Sequence, residues 1–290
     1  MHWGLGDLRS ARPPTPARPH HRASGRTPVS RRAIGGGSAP EFNGKVAVVT
    51  GGGSGIGYAI ARAFARAGAQ VAIAGRTRET LTHAAETIEK ECGRPVLPVQ
   101  ADVAKAEDCE RLVAATVERF GAVDILVNDA ALFAVRPLID VDAAEAARFF
   151  AVNAIGPLIA ARAFARWAID RKRGGAIVNV SSIAAGKPAK GVALYSASKA
   201  ALECLTRSMA VEWARYGLRV NAVAPGHVAT EGVIEDLRTG RLDEKAVLAR
   251  IPLGSIADGD DIADAVLFLS GDRARHILGH VLTVDGGEGF

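Results

Sequence analysis

The sequence predicts an α/β fold in which helices pack on a parallel sheet, and three observations predict it. Short apolar, β-branched runs alternate with longer amphipathic ones along most of the chain. Such alternation implies right-handed crossovers between parallel strands. The first apolar run feeds a cluster of glycines and then a helix. The composition is 48% hydrophobic but only 5% aromatic, and a body dominated by Ala, Gly and Val suits close packing of helices on a sheet. The 290 residues suffice for one sizeable core, since α/β domains of about 250 residues are common as single domains.

Residues 1–40 stand apart. They hold seven arginines and one acid, Asp7, among prolines, glycines and serines, and are expected to be disordered. Their Arg-rich, acid-poor composition resembles an organellar targeting segment, but the prolines break any amphipathic helix. The favoured reading is a non-functional extension, for which a start upstream of the true one is one origin. This segment carries +6 of a net charge of +5, so the other 250 residues are nearly neutral. The high isoelectric point is therefore no argument for nucleic-acid binding. The cysteines Cys92, Cys109 and Cys204 have neither disulfide nor metal spacing, and the odd count predicts a reducing compartment, the cytoplasm. No continuous apolar run approaches the roughly 18 residues of a membrane span. No metal site is expected.

Residues 45–50 read as a buried strand. They lead through Gly51-x-x-x-Gly55-x-Gly57 into a helix over 56–67. Glycines let backbone approach a phosphate, and a helix N-terminus offers unpaired N–H groups and a positive dipole. A glycine-rich turn with no ligand is the plainer alternative. Residues 70–74 form a second strand, ending at Gly75-Arg76. An acid for an adenosine ribose belongs about 20 residues after such a loop. Here Gly75 fills the slot and Arg76 follows, which favours a 2′-phosphate held bidentately. Arg76 merely capping the strand end in solvent is the alternative. A helix over 77–92 precedes a strand over 95–101, which ends at Asp102-Val103, where a polar side chain can meet an adenine edge. Residues 105–120 form a helix and 123–128 a strand, followed by Asp129-Ala130-Ala131.

Residues 141–171 read as one long helical region. Asn153 lies within it among Ala, Ile and Val, and needs partners, since an unsatisfied buried amide costs about 1–3 kcal/mol. Capping a kink or joining a proton relay would each supply them. Residues 176–180 form the fifth strand and end at Ser181-Ser182, where carboxyl-end side chains face a ligand crevice. The run 192–215 reads as one helix, which puts Tyr195 and Lys199 one turn apart on one face. A fixed ammonium nearby favours the phenolate. Lowering a phenol pKa of about 10 by roughly 3 units takes about 4 kcal/mol and yields a proton donor and acceptor matched to neutral pH. Strands over 219–224 and 281–284 complete the set. The first is followed by Pro225-Gly226-His227-Val228-Ala229-Thr230 and the second by Asp285-Gly286-Gly287.

Together Thr50-Gly51-x-x-x-Gly55-x-Gly57, Asp102, Asn128-x-Ala130, Asn153, Ser182, Tyr195-x-x-x-Lys199, Pro225-Gly226 with Thr230, and Asp285-Gly286-Gly287 resemble the short-chain dehydrogenase/reductase family, 3-oxoacyl-carrier-protein reductases included. The likeness runs from about Gly44 to Gly287. It implies a Rossmann-type doubly wound parallel seven-stranded sheet with helices on both faces, in a single domain over 41–290, and a nicotinamide cofactor. It makes Tyr195 the acid or base, with Lys199 lowering its pKa and holding the nicotinamide ribose. Ser182 would bind the substrate oxygen, and Asn153 a relay water. It assigns cofactor contacts to Gly51, Ser54, Gly55, Ile56, Gly57, Arg76, Asp102, Val103, Asn128, Ala130, Tyr195, Lys199, Pro225, Gly226, Val228 and Thr230. It also implies a homo-oligomer, a dimer or tetramer, in which the helices over 141–171 and 192–215 pair across a two-fold axis.

Two departures stand out. The family usually reads Asn-Asn-Ala-Gly where this chain has Asn128-Asp129-Ala130-Ala131, and no basic residue lies between Gly51 and Gly55. NADP(H) is favoured and NAD(H) possible. The expected activity is hydride transfer between NAD(P)(H) and a carbonyl or secondary alcohol of a small molecule, with no nucleic-acid or membrane partner. Reduction of a 3-oxoacyl thioester on a carrier protein is the alternative. A catalytically idle cofactor-sensing protein is the remote one, against which the intact Ser182, Tyr195 and Lys199 argue. The substrate pocket is expected from residues 131–138, 186–194 and 226–250, with Arg136, Lys187 and Lys190 as a candidate basic rim; solvated loop charges with no role are the alternative.

Overall fold

The computed structural model describes residues 41–290; the disorder expected of residues 1–40 lies outside them. Seven apolar runs become β1 (Val46–Thr50), β2 (Gln70–Gly75), β3 (Val96–Gln100), β4 (Ile125–Asn128), β5 (Gly175–Val180), β6 (Leu218–Pro225) and β7 (Val281–Val284). They pair in parallel in the order β3-β2-β1-β4-β5-β6-β7. The chain winds outward from β1 to β3, then restarts on the other side with β4. The switch point between β1 and β4 opens a crevice at the carboxyl ends of the strands. Thr50 pairs with Asn128 and with Ala74 there, so the residues after each strand converge.

Successive strand residues point to opposite faces. Ala47 and Val49 join one core with α1 (Gly55–Arg66), α2 (Arg78–Cys92) and α9 (Gly259–Ser270). Val48 joins the other, with α3 (Ala106–Phe120), α5 (Gly156–Asp170) and α6 (Ala193–Trp213). Helices on both faces of a parallel sheet make this the expected doubly wound, Rossmann-like arrangement.

Two regions depart from the sequence reading. The long helix expected over 141–171 is α4 (Ala143–Phe150), a π-turn (Ala151–Ile155) and α5. Pro157 has no N–H to give the carbonyl of Asn153 four residues back, and the turn widens instead of continuing as α-helix. Gly156 is needed beside it, because a Cβ there would lie 2.7 Å from the carbonyl oxygen of Val103. By length and mean hydropathy, 1.2, the stretch Ala143–Asp170 is apolar enough to cross a membrane. Here α5 buries Ala160, Ala161, Phe164 and Ala168 in the core.

The segment after β6 also gains helices that the sequence reading left out: α7 (Glu231–Arg238), α8 (Glu244–Leu248) and α9. The first two are short. The signal for α9 was legible, since Asp258 and Asp261 form a reciprocal capping box at its start.

Candidate active site

The turn after β1 admits only glycine at its tight points. Gly51 has φ 74°, in the left-handed region. A Cβ on Gly57 would collide with the carbonyl oxygen of Gly51 and lie 2.6 Å from Asp129 Oδ2. This close packing brings the start of α1 against the end of β4, and the gap beside it is a cavity of about 520 Å³. Of the residues assigned to the cofactor by sequence, the cavity wall contains Gly51, Ser54, Gly55, Ile56, Arg76, Asp102, Val103, Ala130 and Thr230. Thr50 fixes the turn beyond β4, its Oγ1 accepting from the N–H groups of Asp129 and Ala130 at 3.1 and 3.2 Å. Asp102 takes the Ala104 N–H at 3.1 Å. Among the described residues the Arg76 guanidinium has no ion-pair partner, so it is available to an anion at the end of β2. Glycine backbone, a helix N-terminus and an arginine without an ion-pair partner around this cavity fit a dinucleotide.

Asn128 is not on that wall. It is 2% exposed, and its amide donates to Asn179 Oδ1 at 2.9 Å and to the carbonyl of Pro157 at 3.3 Å. Asn179 in turn donates to Thr206 Oγ1 at 2.8 Å. The cofactor contact assigned to Asn128 gives way to a polar tie from β4 through β5 to α6. Gly57, Pro225, Gly226 and Val228 also lie off the wall. Gly226 lets the chain pass close to the C-terminal segment, since a Cβ would lie 2.8 Å from Asp285 Cβ. Val228 bridges to Ala257. Glu288, a residue the sequence reading missed, anchors this segment: its carboxylate accepts the His227 N–H at 3.0 Å and lies 2.8 Å from His227 Nδ1.

The four candidate catalytic residues are off the cavity wall, Tyr195 and Lys199 included, and reach it through its residues Leu132 and Asp129. Ser182 follows β5, and its hydroxyl lies near enough to the Tyr195 phenol to lower its pKa. Its Oγ also accepts the Ala184 N–H at 3.2 Å, closing a short turn. Tyr195 and Lys199 share one face of α6, the Lys199 Nζ lying 5.6 Å from the Tyr195 ring centre. Lys199 is 2% exposed and donates to the carbonyl of Val180 at 2.6 Å. Burial pulls its pKa down to about 8, with the Asp129 carboxylate opposing. The phenol departs from expectation. Burial pushes the Tyr195 pKa above its ordinary value, with the Ser182 hydroxyl pulling down and Asp129 pushing up. The ammonium meant to lower it is turned to the Val180 carbonyl and is itself less basic than usual.

Asn153 sits in the π-turn, fully buried. Its Oδ1 accepts the Leu132 N–H at 2.7 Å, and its Nδ2 donates to the Leu132 carbonyl at 2.9 Å and to Ser198 Oγ at 3.0 Å. Ser198 donates to the carbonyl of Tyr195 at 2.8 Å. Both amide hydrogens are committed to protein acceptors, and the side chain clamps the loop after β4 to the helix of Tyr195. Asp129, singled out only as a departure, is central. Its carboxylate packs against Gly57, and burial raises its pKa to about 6 while Lys199 pulls it down.

Two of the three rim charges are engaged within the protein. Lys187 Nζ donates to the carbonyls of Glu288 and Phe290, each at 2.9 Å, and Arg136 pairs with Glu145 at 3.5 Å. The rim instead presents an aromatic, Phe133, whose ring meets Tyr195 edge-on at 5.1 Å.

A doubly wound sheet with a glycine-lined cavity at its switch point and Ser182, Tyr195 and Lys199 beyond β5 is the arrangement of a nicotinamide-dependent oxidoreductase. A family profile described as Enoyl-(Acyl carrier protein) reductase matches residues 51–288. Sorbitol dehydrogenase of Cereibacter sphaeroides is 37% identical over 256 residues, 85% of this chain and 98% of that protein. L-rhamnose 1-dehydrogenase (NAD(P)(+)) of Azotobacter vinelandii is 38% identical over 246 residues, covering 84% and 96%. The structure of L-sorbose reductase from Gluconobacter frateurii, complexed with NADPH and L-sorbose, superposes with a TM-score of 0.81 at 30% identity, covering 87% of this chain and 98% of that one. The chain belongs to the short-chain dehydrogenase/reductase family. It is an oxidoreductase that transfers hydride between a nicotinamide cofactor and a carbonyl or alcohol substrate.

Proposed function

We propose that the enzyme favours NADP(H) and interconverts a secondary alcohol and a ketone on a small polyhydroxylated substrate. Ser182, Tyr195 and Lys199 stand at the reacting carbon, and Asn153 positions them. The observation that carries this reading is the buried Lys199 set 5.6 Å from the Tyr195 ring centre on one face of α6, with the Ser182 hydroxyl near enough to lower the phenol pKa. When bound, the cofactor supplies or accepts the hydride. Tyr195 gives a proton to the carbonyl oxygen in reduction or takes one from the alcohol in oxidation. Ser182 holds that oxygen against the phenol. Lys199 favours the phenolate as it approaches and binds the nicotinamide ribose.

The unpaired Arg76 supports NADP(H), since a guanidinium can hold a 2′-phosphate bidentately. The names of the sorbitol, rhamnose and sorbose relatives support a polyol or sugar. The profile named for a carrier-protein reductase keeps acyl-thioester reduction as a second reading. The proposal includes a homo-oligomer in the cytoplasm, consistent with three cysteines that are all unpaired. The test is a panel of polyols, sugars, simple ketones and acyl thioesters, assayed with NADPH and NADH. Fastest turnover on an acyl thioester would replace the polyol reading. Tighter binding of NADH than of NADPH would overturn the cofactor preference.

A further inference from the structure

The start of α1 is where an anion belongs in the cofactor cavity, and the chain's own carboxylates sit there. Ser54, the residue before α1, makes no side-chain cap. The Gly55 N–H donates instead to Glu231 Oε2 at 3.2 Å, across 176 residues of sequence, and Asp129 Oδ2 lies 2.6 Å from where a Cβ on Gly57 would stand. Glu231 is the first residue of α7, whose N-cap Thr230 accepts the Val233 N–H. Its carboxylate therefore lies at two helix N-termini at once, where both dipoles favour negative charge.

The two segments are in van der Waals contact here. A Cβ on Gly55 would stand 3.4 Å from Thr230 Cγ2 and 3.9 Å from Glu231 Oε2. The charged residues on the cavity wall are Arg76, Asp102, Asp129 and Glu231, three acids against one base. A dinucleotide's pyrophosphate is anionic and seeks the same N–H groups. It cannot take the Gly55 N–H while Glu231 holds it, and the two negative groups repel at such range.

We propose that Glu231 is a gate on the cofactor cradle: its carboxylate occupies the α1 N-terminus and leaves, with the first turn of α7, when the pyrophosphate binds. The inference rests on the nicotinamide-cofactor reading. It makes Glu231 a residue that sets cofactor affinity by competition and leaves the choice between NADH and NADPH untouched, because both carry the same pyrophosphate.

Fluorescence titration and stopped-flow association of NADPH and NADH test it, on the parent, Glu231→Gln and Glu231→Ala. Both variants are expected to bind each cofactor about 5- to 10-fold tighter, on the order of 1–1.4 kcal/mol, with equal factors for the two. In the parent the observed association rate levels off at high cofactor concentration, where gate opening limits it, and the plateau rises in both variants. Unchanged dissociation constants would overturn the gate and leave Glu231 as a structural cap. Weaker binding in the variants would overturn it by making Glu231 a cofactor ligand. Binding of neither cofactor to the parent would overturn the cofactor reading and the gate with it.

Discussion

At the scale of single residues, three groups carry opposing demands. The Tyr195 phenol must hold a transferable proton, so Tyr195→Phe is expected to keep NADPH binding and lose nearly all turnover. Steady-state kinetics beside a fluorescence titration check this, and near-normal turnover would sink the assignment. Arg76 is available to a 2′-phosphate. Arg76→Ala is expected to weaken NADPH roughly 10- to 150-fold more than NADH, the loss of a charge-assisted contact of about 1.5–3 kcal/mol. Lys199 titrates near pH 8 because burial opposes its charge and Asp129 supports it. Removing that support in Asp129→Asn should let the ammonium lose its proton at lower pH, a shift visible in the NMR titration of labelled lysine Nζ. The same depression has a stability consequence. The folded pKa lies below the ordinary 10.5, so the unfolded chain binds more protons between about pH 8 and 10.5. The Lys199 contribution to stability rises with pH across that window.

At the scale of elements, buried polar side chains tie the layers where hydrophobic packing alone leaves their spacing free. Asn128, Asn179 and Thr206 run from β4 through β5 to α6 in two hydrogen bonds. Asn179→Ala leaves the Asn128 amide and the Thr206 hydroxyl each without that partner. It is expected to cost about 1–3 kcal/mol, read from the midpoint of urea unfolding, and to reduce turnover by letting α6 shift relative to Ser182. The π-turn acts in the same way. Gly156 and Pro157 were readable in the sequence, but what they do depends on Val103 passing within reach of Gly156. That contact is tertiary.

At the scale of the whole molecule, α5 buries one side in the core and keeps Leu158, Ile159 and Trp167 only partly covered. On α6, Val211 is 79% exposed. The pairing proposed for these two helices would cover this surface. Sedimentation velocity is expected to show a species of two or four 30.2 kDa chains. A stable monomer of that mass at micromolar concentration would refute the oligomer.

The sequence by itself determined the sheet, because buried parallel strands are continuous β-branched runs that stand out between amphipathic helices. It also placed the candidate site residues, because Gly51-x-x-x-Gly55-x-Gly57 and Tyr195-x-x-x-Lys199 are local spacings fixed by a turn and by one helical turn, but not the phenol pKa, which burial raises. Only the tertiary structure decided which polar residues face the cavity and which face one another. Asn128 was read as a cofactor contact and proves to be an inter-strand tie, and Lys187 was read as a free rim charge and proves to hold two carbonyls. Glu231 carried no local signal, since its partner Gly55 lies 176 residues away. Asp129 was legible as an oddity of sequence, but its coupling to Lys199 was not. A hydrogen bond or a pKa shift belongs to the distance between two groups, and for these groups the fold alone sets that distance.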